Sequence, residues 1–309
     1  MTNTDKDKEK IEELQEELKV EKLRLSQLGK VLSQEKITER EAILALKSSK
    51  RAPGKKIALG IPGNHIRYGY FTDAHIGHEM FKEDLFQRMI RVFKKYKVDF
   101  IVDAGDHLEG MSGRPGHIYE LTHIGFSQQM QYAAQLYNAL PAMTYGIDGN
   151  HDEWYAKKNN GGVIVGEGLE SRVKNYRHLG QGEADLEVAP GIVLKLFHAN
   201  DGTAYATSYK LQKLIESFSE DERPSIVHSG HYHKALYMFL RGVHGFESGT
   251  LMGQSKWMRG KKIAAHMGFG VVDLYSGKNR GVEKLVHSFY AYDPVKPAAH
   301  RLEEHRQEK

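Results

Sequence analysis

The sequence contains no cysteine. Disulfide frameworks, thiolate zinc sites, iron–sulfur clusters and cysteine nucleophiles are therefore excluded. Any metal site must use imidazole, carboxylate or amide ligands, and the chain has 17 histidines and 40 acidic residues that could supply them.

Long apolar runs are also lacking. No stretch approaches the roughly 20 apolar residues needed to cross a bilayer, and the polar first ten residues lack the apolar core of a signal peptide. The net charge is only +4, and residues 1–56 hold 14 of the 44 basic and 11 of the 40 acidic side chains. The charge alone therefore indicates no particular partner, and the composition predicts a soluble, cytoplasmic protein without membrane contacts.

Residues 1–46 have the composition of a helical, coiled-coil-like extension. An apolar stripe at alternating spacings of three and four, interrupted at Glu21, predicts a helix that joins a second copy of the chain or a protein partner through residues 11–32. A single amphipathic helix packed on the main domain is the alternative. Residues 47–56 carry five basic side chains and no acidic one, which predicts a basic linker. The stripe comprises Ile11, Leu14, Leu18, Leu25, Leu28 and Leu32.

From residue 57 onward, short β-rich runs alternate with helical patterns. The alternation predicts a layered α/β domain over residues 57–295, followed by a charged tail at 296–309. The strand candidates are Tyr68–Phe71, Phe100–Val102, Ala142–Ile147, Ile192–Phe197, Ile226–His228 and Leu285–Tyr292, and helical patterns fill residues 80–96, 118–139 and 206–218.

Metal-compatible side chains follow five of these strand candidates. Because strand ends at one edge of a sheet converge, we expect the five groups to share one pocket. In chain order they are Asp73-Ala74-His75-Ile76-Gly77, Gly105-Asp106-His107, Gly149-Asn150-His151-Asp152, His198 and Gly230-His231-Tyr232-His233.

Over roughly residues 66–292, the chain resembles the calcineurin-like metallophosphoesterase superfamily. The resemblance rests on five motifs in order: D-x-H, G-D, G-N-H-D, H and G-H-x-H. Within this superfamily, the segments DAHIG, KYKVDFIVDAGDHLE and ESGTL are most similar to the SbcD-type DNA repair nucleases. The resemblance implies a layered β-sandwich core flanked by helices.

The resemblance also implies a metal ligand at each matching position. One divalent ion would be held by Asp73, His75, Asp106 and His233, and the second by Asp106, Asn150, His198 and His231, with Asp106 bridging. Such a carboxylate holds two ions at about 3.5–4 Å, where they clamp a phosphate and activate a water. Nitrogen and oxygen ligands suit Mn²⁺, Fe²⁺ or Zn²⁺, with Mg²⁺ as a further candidate, and the resemblance favours Mn²⁺.

His151 adjoins the implied ligand Asn150 and is the candidate that protonates the leaving group, with Asp152 orienting its ring. The alternative for His151 is a structural, hydrogen-bonding role. His107 either contacts the metal-ligating residues without binding metal itself or is an exposed surface residue.

The predicted activity is hydrolysis of phosphodiester bonds in nucleic acid, by a DNA nuclease of the repair or exonuclease kind. A basic segment with an indole follows the last motif and is the candidate for DNA contacts, a solvated basic loop being the alternative. Only 58 residues follow Leu251, too few for the DNA-binding capping domain of the nuclease relatives. The candidate contacts are Lys256, Trp257, Arg259, Lys261 and Lys262.

Two other functions stay open. A phosphodiesterase or phosphatase acting on a small or cyclic nucleotide would need the same metals and no long groove. An interaction scaffold with a degraded site is less consistent with the full ligand series. The segment GDHLEG lacks the arginine expected of a Ser/Thr protein phosphatase, and His198 is followed by Ala-Asn-Asp where many relatives have glycine.

Overall fold

The computed structural model describes residues 56–157, 162–277 and 281–293. The predicted extension at 1–46, the predicted linker up to residue 55 and the predicted tail at 296–309 lie outside these residues. Twelve strands, six α-helices and one 3₁₀ turn, at His117–Glu120, fall within the described part of the chain.

The strands are β1 (Lys56–Ala58), β2 (His65–Phe71), β3 (Phe100–Asp103), β4 (Thr144–Asp148), β5 (Tyr176–Gln181), β6 (Glu183–Ala189), β7 (Ile192–His198), β8 (Ile226–Gly230), β9 (Ala235–Leu240), β10 (Val243–Ser248), β11 (Gly268–Ser276) and β12 (Val282–Ala291). The helices are α1 (Glu83–Tyr96), α2 (Gly125–Tyr137), α3 (Glu153–Ala156), α4 (Val165–Glu170), α5 (Tyr209–Ser217) and α6 (Lys256–Gly260).

These strands form two six-stranded mixed sheets. The first has the order β1-β6-β7-β8-β10-β9, and the second has the order β12-β11-β2-β3-β4-β5. Strands β2, β3, β4 and β5 run parallel to one another in the second sheet, while β7, β8 and β10 run parallel in the first. Each sheet therefore presents several carboxyl ends of strands at one edge.

The core lies in three apolar layers. Buried residues of both sheets, among them Tyr68, Val102 and Leu194, pack between the two sheets. A second layer joins α1 and α2 to the outer face of the second sheet, and a smaller one joins α5 to the first sheet. The predicted layered β-sandwich core with flanking helices is confirmed.

Helix α1 illustrates how sequence periodicity produces a layer. Its apolar residues recur three and four positions apart, so they form one buried face,. Acidic Glu83 and Asp84 lie in the first turn and basic Lys94 and Lys95 in the last, where both favour the helix dipole,. The helix ends at Lys97, which adopts a left-handed conformation. The buried residues are Leu85, Phe86, Met89, Ile90, Val92 and Phe93.

The six strand candidates of the sequence all coincide with strands of the structure. The helix predicted over residues 118–139 is shorter, because a 3₁₀ turn and a loop precede α2 at Gly125. Strands β1, β5, β6, β9, β10 and β11 were not predicted. In the described residues, no helix is both long enough and apolar enough to cross a membrane.

Candidate metal centre

The predicted ligands meet where the carboxyl ends of five strands come together. The loops after β2, β3 and β4 carry Asp73, His75, Asp106 and Asn150, while His198 ends β7 and His231 follows β8. The two sheets are joined here, because the backbone N–H of His231 donates to both oxygens of Asp73 at 3.0 Å. The structure thus brings all seven predicted ligands to one place.

The first group consists of Asp73, His75 and His233. The Nε2 atom of His233 lies 3.3 Å from Asp73 Oδ1 and 3.0 Å from His75 Nε2. His75 Nε2 is 3.8 Å from the same Asp73 oxygen. The three side chains are buried, and their ligand atoms are close enough to surround one ion.

The second group consists of Asp106, Asn150, His198 and His231. His198 Nε2 lies 3.2 Å from Asp106 Oδ2 and 3.1 Å from Asn150 Oδ1. His231 Nδ1 lies 2.6 Å from the same Asn150 oxygen. Asp106 also faces the first group, with Oδ2 3.7 Å from His75 Nε2, so one carboxylate adjoins both groups.

In three histidine rings, one nitrogen points away from the site and donates a hydrogen bond to the protein. The other nitrogen of each ring is then the one that could bind a metal. His198 Nδ1 donates to the carbonyl of Ala104 at 2.6 Å, and His231 Nε2 donates to the carbonyl of Asp201 at 2.7 Å. His75 Nδ1 donates to the Glu109 carboxylate at 2.8 Å. A ring that donates from its outer nitrogen presents a lone pair from the other, which is the usual arrangement for a metal-ligating histidine.

Acceptor atoms consequently face one another inside the site. The lone pairs of His198 and His231 both point towards the Asn150 oxygen, and no lysine or arginine of the described chain pairs with Asp73 or Asp106. A divalent cation satisfies such a set of nitrogen and oxygen donors, whereas a proton satisfies only one pair. The cluster therefore fits a divalent metal site.

The carboxylates and histidines of the site shift one another's pKa values. Burial alone would raise the pKa of a carboxyl, yet the surrounding histidines hold the pKa values of Asp73 and Asp106 below their usual range. Burial opposes the charged form of His198, but Asp106 raises its pKa to about 9. Burial, together with His198, lowers the pKa of His231 to about 4.

Backbone strain is concentrated in the same residues. Eight non-glycine residues of the described chain have a positive φ, and five of them are predicted ligands. This conformation is uncommon for residues with a Cβ and costs of order 1–3 kcal/mol each, so it persists mainly at functional sites. The five are Asp73 (φ 51°), His75 (φ 50°), Asp106 (φ 54°), His231 (φ 86°) and His233 (φ 54°).

Two glycines of the motifs allow the strand ends to approach this closely. A Cβ on Gly149 would lie 2.5 Å from the backbone nitrogen of Asp106 and 2.7 Å from the His198 ring. Gly105 has a φ of +101°, and a Cβ there would lie 2.7 Å from His198 Nδ1. Any side chain at these positions would displace predicted ligands.

The prediction that Asp152 orients the His151 ring is wrong. His151 Nδ1 donates to the backbone carbonyl of Glu109 at 2.9 Å and lies 3.4 Å from its carboxylate. The Asp152 carboxylate instead accepts bonds from the loops after β3 and β4, including those from the backbone N–H groups of Leu108 and Gly149. Although His151 and Asp152 are adjacent in sequence, their side chains point in different directions.

His107 is fully buried behind the ligands rather than exposed. Its Nδ1 lies 2.9 Å from Asp152, and its Nε2 lies 2.6 Å from the hydroxyl of Tyr176 and 3.4 Å from Asp103. Burial disfavours the charged ring, but Asp103 and Asp152 raise the pKa of His107 to about 10. A buried ion-paired network therefore underlies the loop that carries Asp106.

Glu109 is the site residue that sequence reasoning missed. It is buried, and its carboxylate contacts His75, His117 and His151. The only signal in the sequence is an acidic residue three positions after Asp106, which is weak by itself.

A cavity of about 390 Å³ opens onto the ligands and His151. The predicted nucleic-acid segment adjoins it: Trp257 is part of the lining and is 45% exposed. Most of the segment is the short helix α6 rather than a loop. Its cations Lys256, Arg259, Lys261 and Lys262 are exposed and lie outside the lining.

Comparison with known proteins finds phosphoesterases among the solved structures that are similar to this chain. One is a novel archaeal phosphodiesterase, with 12% identity and a TM-score of 0.43 over 73% of this chain and 100% of that chain. Another is the phosphoesterase YfcE from E. coli, with 11% identity and a TM-score of 0.39 over 72% and 98%. No family profile matches this chain.

A curated relative adds a second kind of similarity. The chain is 26% identical over 263 residues to the DNA polymerase II small subunit of Methanothermobacter thermautotrophicus. The match covers 70% of this chain and 53% of that protein, so the chain spans about half the length of this relative.

Proposed function

We propose that the protein is a metal-dependent phosphodiesterase of the calcineurin-like superfamily that cleaves nucleic acid, as a DNA nuclease. The observation that carries the proposal is the pair of ligand groups that adjoin each other through Asp106 and contribute several residues to the lining of one open cavity. One ion would be held by Asp73, His75, Asp106 and His233, and the other by Asp106, Asn150, His198 and His231. Mn²⁺ is the expected metal, with Fe²⁺, Zn²⁺ and Mg²⁺ as competitors.

The chain's own residues supply the remaining chemistry. When bound, two divalent ions lower the pKa of a coordinated water and stabilise negative charge on the phosphoryl oxygens. The bond from His151 Nδ1 to Glu109 leaves His151 Nε2 to hold or transfer a proton at the substrate,. His151 is therefore the residue that protonates the leaving oxygen, and Glu109 rather than Asp152 orients it.

Nucleic acid is the proposed substrate class for two reasons. A relative of the chain is a DNA polymerase subunit. The exposed cations of Lys256–Lys262 lie next to the cavity through Trp257 and provide charges for phosphate contacts,. A small or cyclic nucleotide is the second candidate, which the compact cavity favours.

The experiment uses the full chain, labelled single- and double-stranded DNA, cyclic nucleotides and bis(p-nitrophenyl) phosphate, with each of the four metals. We expect metal-dependent cleavage of DNA, and loss of most turnover in His151→Ala with both metals retained by elemental analysis. Asp106→Asn should weaken the binding of both ions. His65→Ala, at a surface pair with Asp273, is the matched control. Cleavage of a cyclic nucleotide but of neither DNA substrate would overturn the DNA nuclease assignment.

A further inference from the structure

Both tryptophans of the chain line the cavity that contains the predicted metal ligands. Met252, Met258 and Ile263 line it as well. The cavity therefore has a part rich in ligand atoms and an apolar part. A substrate that fills both must carry an apolar, flat group beside its phosphate.

The two tryptophans are placed differently. The Trp154 ring packs against His151 with centroids 3.9 Å apart and against His117 edge-on at 5.6 Å. Trp257 makes no ring contact with any described residue, and nearly half of its surface is exposed. The face of Trp154 is already used to support His151, whereas Trp257 is available to a ligand.

Trp257 is held on a fixed turn. Ser255 begins α6, and its Oγ accepts a hydrogen bond from the backbone N–H of Met258 at 3.2 Å. The Ile263 N–H donates to the Met258 carbonyl at 2.9 Å, and the Met258 side chain is buried beneath the turn. A ligand that stacks on this indole therefore orders little additional chain.

We propose that Trp257, together with Met258 and Ile263, binds one unpaired nucleobase beside the phosphodiester that is cleaved at Asp106. This inference rests on the proposed phosphodiesterase function and specifies its substrate: a nucleotide whose base is not paired. A base within a duplex is stacked on both faces and paired at its edge, so it must leave the helix to reach Trp257. A cavity of about 390 Å³ is near the small end of ligand pockets, which suits one nucleotide,.

The first test measures binding without turnover. Trp154→Phe in a His151→Ala background leaves Trp257 as the single fluorescent tryptophan. With Mn²⁺ present, a single-stranded oligothymidylate should quench its emission saturably, and a blunt duplex should not. A cyclic mononucleotide in a third titration distinguishes a small nucleotide from a strand end. Equal quenching by the blunt duplex, or no quenching by any nucleotide, would overturn the proposal.

The second test measures turnover. Trp257→Ala should raise the KM for a single-stranded oligonucleotide about tenfold or more, as expected for loss of base stacking, and Trp257→Phe should restore most of the affinity. An oligonucleotide whose two terminal units at each end lack bases should lose this dependence on Trp257. Phe239→Ala removes another exposed aromatic side chain, one that is not part of the cavity lining, and should change nothing.

The two proposals fail differently. If the wild-type protein cleaves no phosphodiester, the proposed function is wrong, and the quenching titration still decides whether Trp257 binds a base. If the protein cleaves oligonucleotides while Trp257→Ala keeps the wild-type KM, the phosphodiesterase function stands and the base-binding role of Trp257 is wrong.

Discussion

Glu109 is a buried carboxylate that fixes three histidine rings around the cavity. It lies 2.8 Å from His75 Nδ1, 2.7 Å from His117 Nε2 and 3.4 Å from His151 Nδ1. His75 belongs to a ligand group, so the Glu109 carboxylate orients a predicted ligand. The proposed proton donor His151 is held by the backbone carbonyl of Glu109, and the carboxylate places a negative charge beside its ring. Burial would raise the pKa of Glu109, but these histidines hold that pKa well below its usual range.

We expect Glu109→Gln to reduce turnover about 10- to 100-fold, the usual effect of removing the outer partner of a metal ligand. The amide keeps the shape but loses the charge that holds the His75 ring and lies beside the His151 ring. The measurement is kcat together with the stoichiometry of bound metal. Glu216→Gln on the exposed face of α5 is the control and should retain wild-type turnover. Wild-type kcat in Glu109→Gln would show that the rings are oriented without it.

The predicted ligands illustrate what a sequence reveals about a site. They were predictable because each follows a strand candidate, and parallel strand ends meet at a sheet edge. The role of Glu109 was not predictable, because no feature of the neighbouring sequence indicates that the side chain of a single acidic residue will be buried. The Asp152 prediction was wrong for a related reason: chain proximity to His151 does not determine the direction of a side chain within a turn.

At the scale of elements, Asp152 connects the loops that follow β3 and β4. Its Oδ2 accepts hydrogen bonds from the backbone and ring nitrogens of His107 and from the backbone of Gly149, at 2.9–3.1 Å. Its Oδ1 accepts from the Leu108 backbone at 3.0 Å. One loop carries Asp106 and the other carries Asn150, so this carboxylate determines the spacing between two predicted ligands.

Asp152→Asn should destabilise the protein by about 3 kcal/mol, because the amide nitrogen places a donor against buried donors and removes one of the two carboxylates that pair with the charged His107,. Urea unfolding measures the change. Glu170→Gln, which removes a surface pair with Arg177, is the matched control and should cost less than about 1 kcal/mol,. If Asp152→Asn lowers the free energy of unfolding no more than that control does, Asp152 does not stabilise the two loops.

The elements that sequence patterns missed have physical reasons in common. Strand β9 has the sequence ALYMFL, a continuous apolar run with no alternation, yet it forms an edge strand with exposed Phe239. Strand β5 contains polar residues and a glycine, and only its partner β4 makes it a strand. Such strands are defined by pairing across the sheet, which local composition does not report.

At the scale of the whole molecule, the apolar stripe over residues 11–32 predicts self-association or a protein partner. Deleting residues 1–46 should convert an oligomer into a monomer, because the stripe is the predicted contact. Light scattering of the full and shortened chains measures the mass, and phosphodiesterase turnover checks that the shortened chain is folded. An unchanged mass would contradict self-association through this segment.

Glu247 on β10 makes the stability of the fold depend on pH. The residue is 3% exposed, so its carboxyl group is shielded from water. Burial raises its pKa to about 7, and the ammonium of Lys234 and the backbone N–H of Leu211 oppose the shift only in part. The folded protein therefore retains a proton on this carboxyl at a pH where the unfolded chain, with an ordinary pKa near 4.5, has released it.

The stabilising contribution of the Glu247 proton is fully present below about pH 4.5 and is lost as the pH rises through about 7,. We expect the free energy of unfolding of the wild type to fall between pH 6 and pH 8 relative to that of Glu247→Gln, whose side chain does not ionise. Urea unfolding at pH 6, 7 and 8 measures both, with Glu216→Gln as the control that should keep the wild-type slope. The difference between the two free energies of unfolding isolates the titration of Glu247 from that of the histidines, which both proteins share. If this difference stays constant from pH 6 to pH 8, the Glu247 carboxyl does not titrate in that range.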